Sequence, residues 1–168
     1  MAELNDRILT TTRLIPFADQ YVDYLHQLWS ATKVRLYLWD DRVISRQQAV
    51  DVVYGSLHSF ATEQFGFWVL EEIASGELAG FAGLRRFGED HEIDVLYGPG
   101  PAFWRKGYAT EAARAVLDFG FQVCGQNKFF AGTDQPNQAS TRVIERLGMS
   151  FDSERIIDGL PALLRAFR

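Results

Sequence analysis

The sequence predicts an α/β fold built as one domain on a mixed, largely antiparallel sheet, and three observations predict it. Apolar residues recur with periods of about two and about 3.6 in the order strand, two helices, three strands, helix, strand, helix, two strands. Two of the strand pairs are joined by turn sequences, Ala74-Ser75-Gly76-Glu77 and Asp158-Gly159, which return the chain antiparallel. The 168 residues fit one compact domain, and no repeat or low-complexity linker divides them, so the expected domain spans 1–168. That order gives about seven strands and about four helices.

Each element has its own warrant. Ile8 to Phe17, with Thr and branched residues, reads as the first strand. Ala18 to Ser30 places Tyr21, Tyr24, Leu25 and Leu28 at helical spacing. Ser45 followed by Gln48 forms a capping box for a second helix running toward Thr62. Phe65 to Glu72 and Leu78 to Arg86 form a hairpin, and His91 to Tyr97 is the next strand. Gly98-Pro99-Gly100-Pro101 is expected to end it, because both prolines lack a donor. Lys106 to Cys124 is the clearest helix, with Ala109, Ala112, Ala113, Val116, Leu117 and Gly120 on one small-residue face. Lys128 to Thr133 is a short strand, and Pro136 to Leu147 is a helix closed by Gly148. Phe151 to Ile157 and Leu160 to Phe167 flank the Asp158-Gly159 turn.

Composition narrows the function. Hydrophobic residues are 47% and aromatics 14%, which argues for a packed core and against disorder. A formal net charge of -5 at pH 7 argues against a general nucleic-acid binder, which would present a basic field. The single Cys124 builds neither a disulfide framework nor a thiolate metal site, and no His/Cys/Asp spacing suggests a metal. Met1 to Asp6 lacks a basic segment before an apolar run, and no stretch approaches the roughly 18 apolar residues of a membrane helix. The expectation is a cytoplasmic protein without a signal peptide, bound neither to membrane nor to nucleic acid.

Against that acidic background stands Trp104-Arg105-Lys106-Gly107-Tyr108-Ala109-Thr110-Glu111, between a Gly/Pro-rich turn and a long helix. The first N–H groups of a helix lack internal partners and, with the helix dipole, favour an anion. Gly107 permits close approach, Ala109 keeps the next turn uncrowded, and Arg105 and Lys106 add charge. Spacing alone specifies a diphosphate-sized anion without naming it. The plainer reading, a loop glycine beside a solvated charge pair, stands beside it.

The stretch Phe103 to Ala112 resembles motif A of the GNAT acetyltransferases, specifically the branch of bacterial ribosomal-protein N-terminal acetyltransferases (the RimJ/RimL type). Leu9-Thr10-Thr11-Thr12-Arg13-Leu14 resembles that branch's opening strand. Phe67-Trp68-Val69-Leu70 and Gly80-Phe81-Ala82-Gly83-Leu84 resemble its central hairpin, and Asn137 to Met149 its second cofactor motif. The resemblance implies a sheet splayed in the middle, between the strand ending at Tyr97 and the strand ending at Thr133. Acetyl-CoA would lie there as co-substrate, its pantetheine near Leu96, Tyr97 and Gly98 and its pyrophosphate against the N–H groups of Arg105 to Thr110. Trp104 stands where Gln or Arg is usual, and Pro99 removes a donor.

Acetyl transfer to an amine needs positioning, worth roughly 7–11 kcal/mol for well-oriented reactants, and proton management. By resemblance, many GNAT enzymes place a tyrosine in the helix after the Asn motif; Ile144 stands there, and the branch's serine corresponds to Ser140. Ser140 is therefore expected to donate to the departing sulfur, with Asn137 beside the pantetheine. Glu92, Asp94 and Leu96 share one strand face, so Glu92 and Asp94 are candidates for proton acceptance through water, or solvent-facing residues. Tyr37-Leu38-Trp39 lies between the first two helices, so Tyr37 and Trp39 either line an acceptor pocket or belong to the core. His26, His58 and His91 are expected in surface or core roles. The expectation is an acetyl-CoA-dependent N-acetyltransferase acting on a peptide N-terminus or a small amine, with a homodimer open. The alternative is a CoA-binding sensor or interaction module that has lost turnover.

Overall fold

Strand alternation divides the apolar residues between two faces of one sheet, and both faces are covered. The computed structural model describes residues 4–133, 137–157 and 160–167. Its elements are β1 (Arg7–Ile8), β2 (Thr12–Pro16), α1 (Val22–Ser30), α2 (Thr32–Leu38), α3 (Arg46–Glu63), β3 (Phe67–Glu72), β4 (Leu78–Phe87) and β5 (Glu92–Pro99). Then follow α4 (Tyr108–Gln122), β6 (Phe129–Thr133), α5 (Gln138–Arg146), β7 (Ser150–Ile157) and β8 (Leu160–Phe167). All eight strands form one sheet in the order β1-β2-β3-β4-β5-β6-β8-β7, antiparallel throughout except for β5 beside β6. Among the described residues no helix is long and apolar enough to cross a membrane.

The α/β class and the mixed sheet stand as expected, with two additions. The first strand divides at a turn into β1 and β2, where Leu9 donates to the Thr12 carbonyl at 2.9 Å. The segment carrying Tyr37 forms the helix α2, which makes five α-helices among the described residues rather than about four. At the start of α3 both halves of the capping box are made: Gln48 N donates to Ser45 Oγ at 3.1 Å, and Ser45 N to Gln48 Oε1 at 2.8 Å. Asp158-Gly159 and Pro136 lie outside the described residues.

Trp68 and Leu70 of β3 face a cluster with Leu84, Val95, Ala112 and Val116, under α4. Their neighbour Val69 faces the opposite cluster, with Phe81, Leu25, Trp29 and Val53, under α1 and α3. Trp68 sits edge-on between Phe60 and Phe119, with ring centroids 4.9 and 5.2 Å away. Such pairs contribute about 0.5–1.5 kcal/mol each beyond area burial. The small face of α4 lets it lie close to the sheet: a Cβ on Gly120 would meet Phe129 Cζ at 2.3 Å.

One expectation about β5 is corrected. Pro99 does not end the strand but pairs with Gly80, and β5 runs through it. Gly100 N donates to the Ala79 carbonyl at 2.8 Å. Alternation along an antiparallel ladder then turns the Pro99 nitrogen away from β4, so the β4–β5 ladder loses no bond. On that side β6 has already diverged, since the parallel pairing of the two strands is registered only at Asp94 and Phe130.

Candidate active site

Where β5 and β6 part, a cleft of about 770 Å³ opens beside the N-terminus of α4. A short 3-10 turn, Pro101–Phe103, carries the chain from β5 toward that helix. Arg105 and Gly107 then take left-handed backbone angles, with φ of 64° and 78°. Gly107 suits this at no steric cost, and its N-cap position carries no capping side chain. Glu111 N makes the first intrahelical bond, to the Gly107 carbonyl at 3.0 Å. The N–H groups of Tyr108, Ala109 and Thr110 therefore precede the helical ladder, where the dipole favours an anion.

The side chains agree with the backbone. Lys33, Arg105, Arg142 and Arg146 line the cleft, and among its described lining residues there is no Asp or Glu. On a chain of net charge -5 that concentration of cations selects a polyanion. Thr110 also lines the cleft, and its Oγ1 is buried without a hydrogen-bond partner. A coenzyme A diphosphate with its pantetheine arm fits this inventory of free amides, cations and an orphaned hydroxyl.

Of the twelve residues expected at the cofactor, Leu96, Tyr97, Gly98, Trp104, Arg105 and Gly107 line the cleft, as do Tyr108, Ala109, Thr110, Asn137 and Ser140. Lys106 does not. Its Nζ lies 3.0 Å from Glu72 Oε2, and the Tyr108 hydroxyl donates to the same oxygen. Those bonds, Tyr108 first, with Ser75 added, hold the Glu72 carboxyl down at about 2. Glu72 thereby ties both flanks of Gly107 to β3. A second tether runs from Glu111 at the helix start, whose carboxylate accepts from Thr11 N, Thr11 Oγ1 and Thr12 Oγ1 at 2.7–3.0 Å.

Across the splay, Asn137 caps α5 by accepting from Ser140 N at 3.1 Å while it also lines the cleft. The Tyr97 hydroxyl lies 2.9 Å from Ser140 Oγ and donates to the Ser140 carbonyl at 3.2 Å. Burial pushes the Tyr97 phenol up to about 12, with Ser140 opposing. The phenol is therefore protonated at neutral pH and available as a donor. Ile144, at the position that the resemblance assigns to a tyrosine, is fully buried in the core.

The two candidate carboxylates lie outside the residues lining this cleft. Glu92 is paired with Arg155 of β7. Asp94 is buried, and Arg85 Nε approaches it at 3.2 Å. Burial raises its carboxyl above the ordinary range, only partly offset by Arg85. Tyr37 lines the cleft from α2, whereas Trp39 lines a second cavity of about 440 Å³. His26 bonds the Ile44 carbonyl at 2.9 Å, His91 is exposed, and His58 lines the second cavity. Among the described residues no group of three or more His, Cys, Asp or Glu could hold a metal.

Sequence reasoning overlooked three contributors: the Tyr97 hydroxyl, Lys33, and the pair Arg142 and Arg146. The last had a signal, two arginines one turn apart on the helix that carries Ser140.

Comparison with known proteins bears on this geometry. A family model described as an acetyltransferase (GNAT) domain matches residues 12–150. The uncharacterized N-acetyltransferase YoaA of Bacillus subtilis (strain 168) is 26% identical over 153 residues, covering 89% of this chain and 85% of that one. The spermidine N(1)-acetyltransferase of Escherichia coli (strain K12) is 26% identical over 147 residues, covering 86% and 75%. Among solved structures, the ribosomal L7/L12 α-N-protein acetyltransferase RimL in complex with coenzyme A superposes with a TM-score of 0.81. Its sequence identity is 18%, with 97% of each chain covered.

Proposed function

The chain belongs to the acetyltransferase (GNAT) domain family, and on that premise we propose that it moves an acetyl group from acetyl-CoA to a primary amine. The amine belongs to a peptide N-terminus or a small molecule, and it attacks directly in a ternary complex. The observation that carries this reading is the cleft's inventory: four cationic side chains, no carboxylate among the described lining residues, and the unladdered N–H groups at Tyr108 to Thr110. The N–H groups hold the diphosphate, Arg105 adds a direct charge, and Lys106, given to Glu72, adds field. Leu96, Tyr97, Gly98 and Asn137 line the pantetheine path.

In the reaction the amine nitrogen bonds to the thioester carbonyl carbon. The C–S bond breaks, and sulfur leaves with the bonding pair as a thiolate. One proton leaves the nitrogen and one reaches the sulfur. Ser140, backed by Tyr97, donates a hydrogen bond to the departing sulfur, whose thiol has an ordinary pKa near about 8.5 and needs little acid help. Asp94 accepts the nitrogen's proton through water, its raised pKa bringing it nearer neutrality. Glu92 lies on the same face but is engaged by Arg155, so its contribution is through its field.

Kinship with the RimJ/RimL branch supports a peptide α-amine, and kinship with the spermidine enzyme supports a small amine. One observation favours the alternative of a CoA-binding sensor: the donorless Pro99 nitrogen faces the splay. Thiol release from acetyl-CoA with a panel of amines decides between them. Turnover on any of them supports the transferase, and tight CoA binding without turnover the sensor.

A further inference from the structure

The second cavity adjoins the cofactor cleft, sharing Leu38, Phe81 and Leu96 with it. Its walls are aromatic. Trp29 meets Phe81 edge-on at 5.6 Å and Trp39 at 5.9 Å between ring centroids, with Phe67 alongside. Both Trp29 Nε1 and Trp39 Nε1 are buried and have no hydrogen-bond partner. Trp29 is only 2% exposed, so its N–H has no bulk water to satisfy it. Buried indole donors normally find an acceptor, and leaving them unpaired is costly. Both tryptophans line this one cavity, so a ligand whose oxygen reached either indole would supply the acceptor it lacks.

Charge supplies the second constraint. The carboxylate lining the cavity is Glu63, and Arg86 engages it through three bonds of 2.7–2.9 Å. Arg85 also lines the cavity and is paired with Asp94. Both carboxylates, Glu63 and Asp94, are thus engaged by guanidiniums and neither is free to hold an ammonium, which disfavours a ligand carrying several ammonium groups.

Building on the acetyl-transfer reading, we propose that this cavity seats the acceptor, a primary amine bearing a bulky apolar group and a carbonyl oxygen, in preference to a polyamine. The apolar group lies against Trp29, Trp39, Phe67 and Phe81, and the oxygen accepts from an indole N–H. A free amino-acid amide and a peptide N-terminus both present this chemistry.

The test follows the indole N–H resonances of the CoA-saturated protein by NMR, with Trp39→Phe and Trp29→Phe identifying the two lines. Trp39 is only half-buried, so its assignment stands even if the Trp29 variant fails to fold. Phenylalaninamide, or a peptide beginning with Phe, should move the Trp29 or Trp39 line downfield, and spermidine should leave both in place. The relative response of the two Phe ligands distinguishes the two sources. In turnover, kcat/KM for the better of the two should exceed that for spermidine at least tenfold. Static lines with both Phe ligands, or equal movement with spermidine, would overturn the assignment. Moving lines without thiol release would defeat the transferase reading and leave the pocket standing. Thiol release with static lines would do the reverse.

Discussion

The two cavities that meet at Leu38, Phe81 and Leu96 recognise by opposite means. The larger one is built from backbone: a helix start, an opened strand edge and cations with no carboxylate among the described lining residues. The smaller one is built from side chains, with aromatic walls, internally paired charges and two unsatisfied donors. Backbone amides recognise a phosphate whatever it is attached to, so the first design suits a shared co-substrate. Side-chain walls can be exchanged one residue at a time, so the second suits a particular acceptor.

The sharpest way to break this contrast is Gly107→Asp. A carboxylate against the diphosphate should raise the Kd for CoA at least tenfold by calorimetry, equivalent to about 1.4 kcal/mol. Gly107→Asn has nearly the same shape without the charge and measures the cost of the left-handed backbone alone. Equal losses in both would show that charge is not what the cleft selects.

Next in size are Tyr97→Phe and Ser140→Ala, each expected to lower kcat roughly tenfold while KM for acetyl-CoA moves less than about twofold. Because the two hydroxyls are 2.9 Å apart, the double variant should be little worse than the poorer single one. Full additivity in the kinetic cycle would mean that they act separately.

Asp94→Asn tests the proton path. If Asp94 accepts the proton, kcat falls as pH drops through its raised pKa, and the Asn variant loses that acidic limb. Glu92→Gln, which touches only the pair with Arg155, should keep it. The smallest effect belongs to Glu72→Gln. A carboxyl held at about 2 instead of 4.5 stabilises the fold above pH 4.5, and that contribution disappears as pH falls toward 2. The variant's Tm should therefore lie below the wild type's at neutral pH and converge with it in acid. A constant gap would assign Glu72 another role.

Legibility in the sequence followed the same division. The Ser45–Gln48 cap, the small face of α4 and the glycine before it are local signals, and they placed two helices, α3 and the α4 that carries the anion site. The Tyr97–Ser140 contact joins residues 43 apart across the splay, and nothing local in either segment announces it. Pro99 misled because a missing donor is harmful only on the paired side of a strand, and the facing side is set by register. Lys106 read as part of the phosphate site until Glu72, distant in sequence, claimed its ammonium. The acceptor walls come from Trp29, Trp39, Phe67 and Phe81, four segments whose aromatics are equally good core residues in any one-dimensional reading.

The tight seat of Gly120 on Phe129 makes α4 a lever. Gly120 is twelve residues along the helix from Tyr108, an arm of about 18 Å at 1.5 Å per residue. A side chain at the seat that tipped the helix by about 5° would swing its amide end by roughly 1.5 Å, enough to matter where a 1 Å misplacement can cost on the order of 10²-fold in rate. The aim of the anion site is thus set at the far end of its own helix, by a hydrogen atom where any other residue would carry carbon.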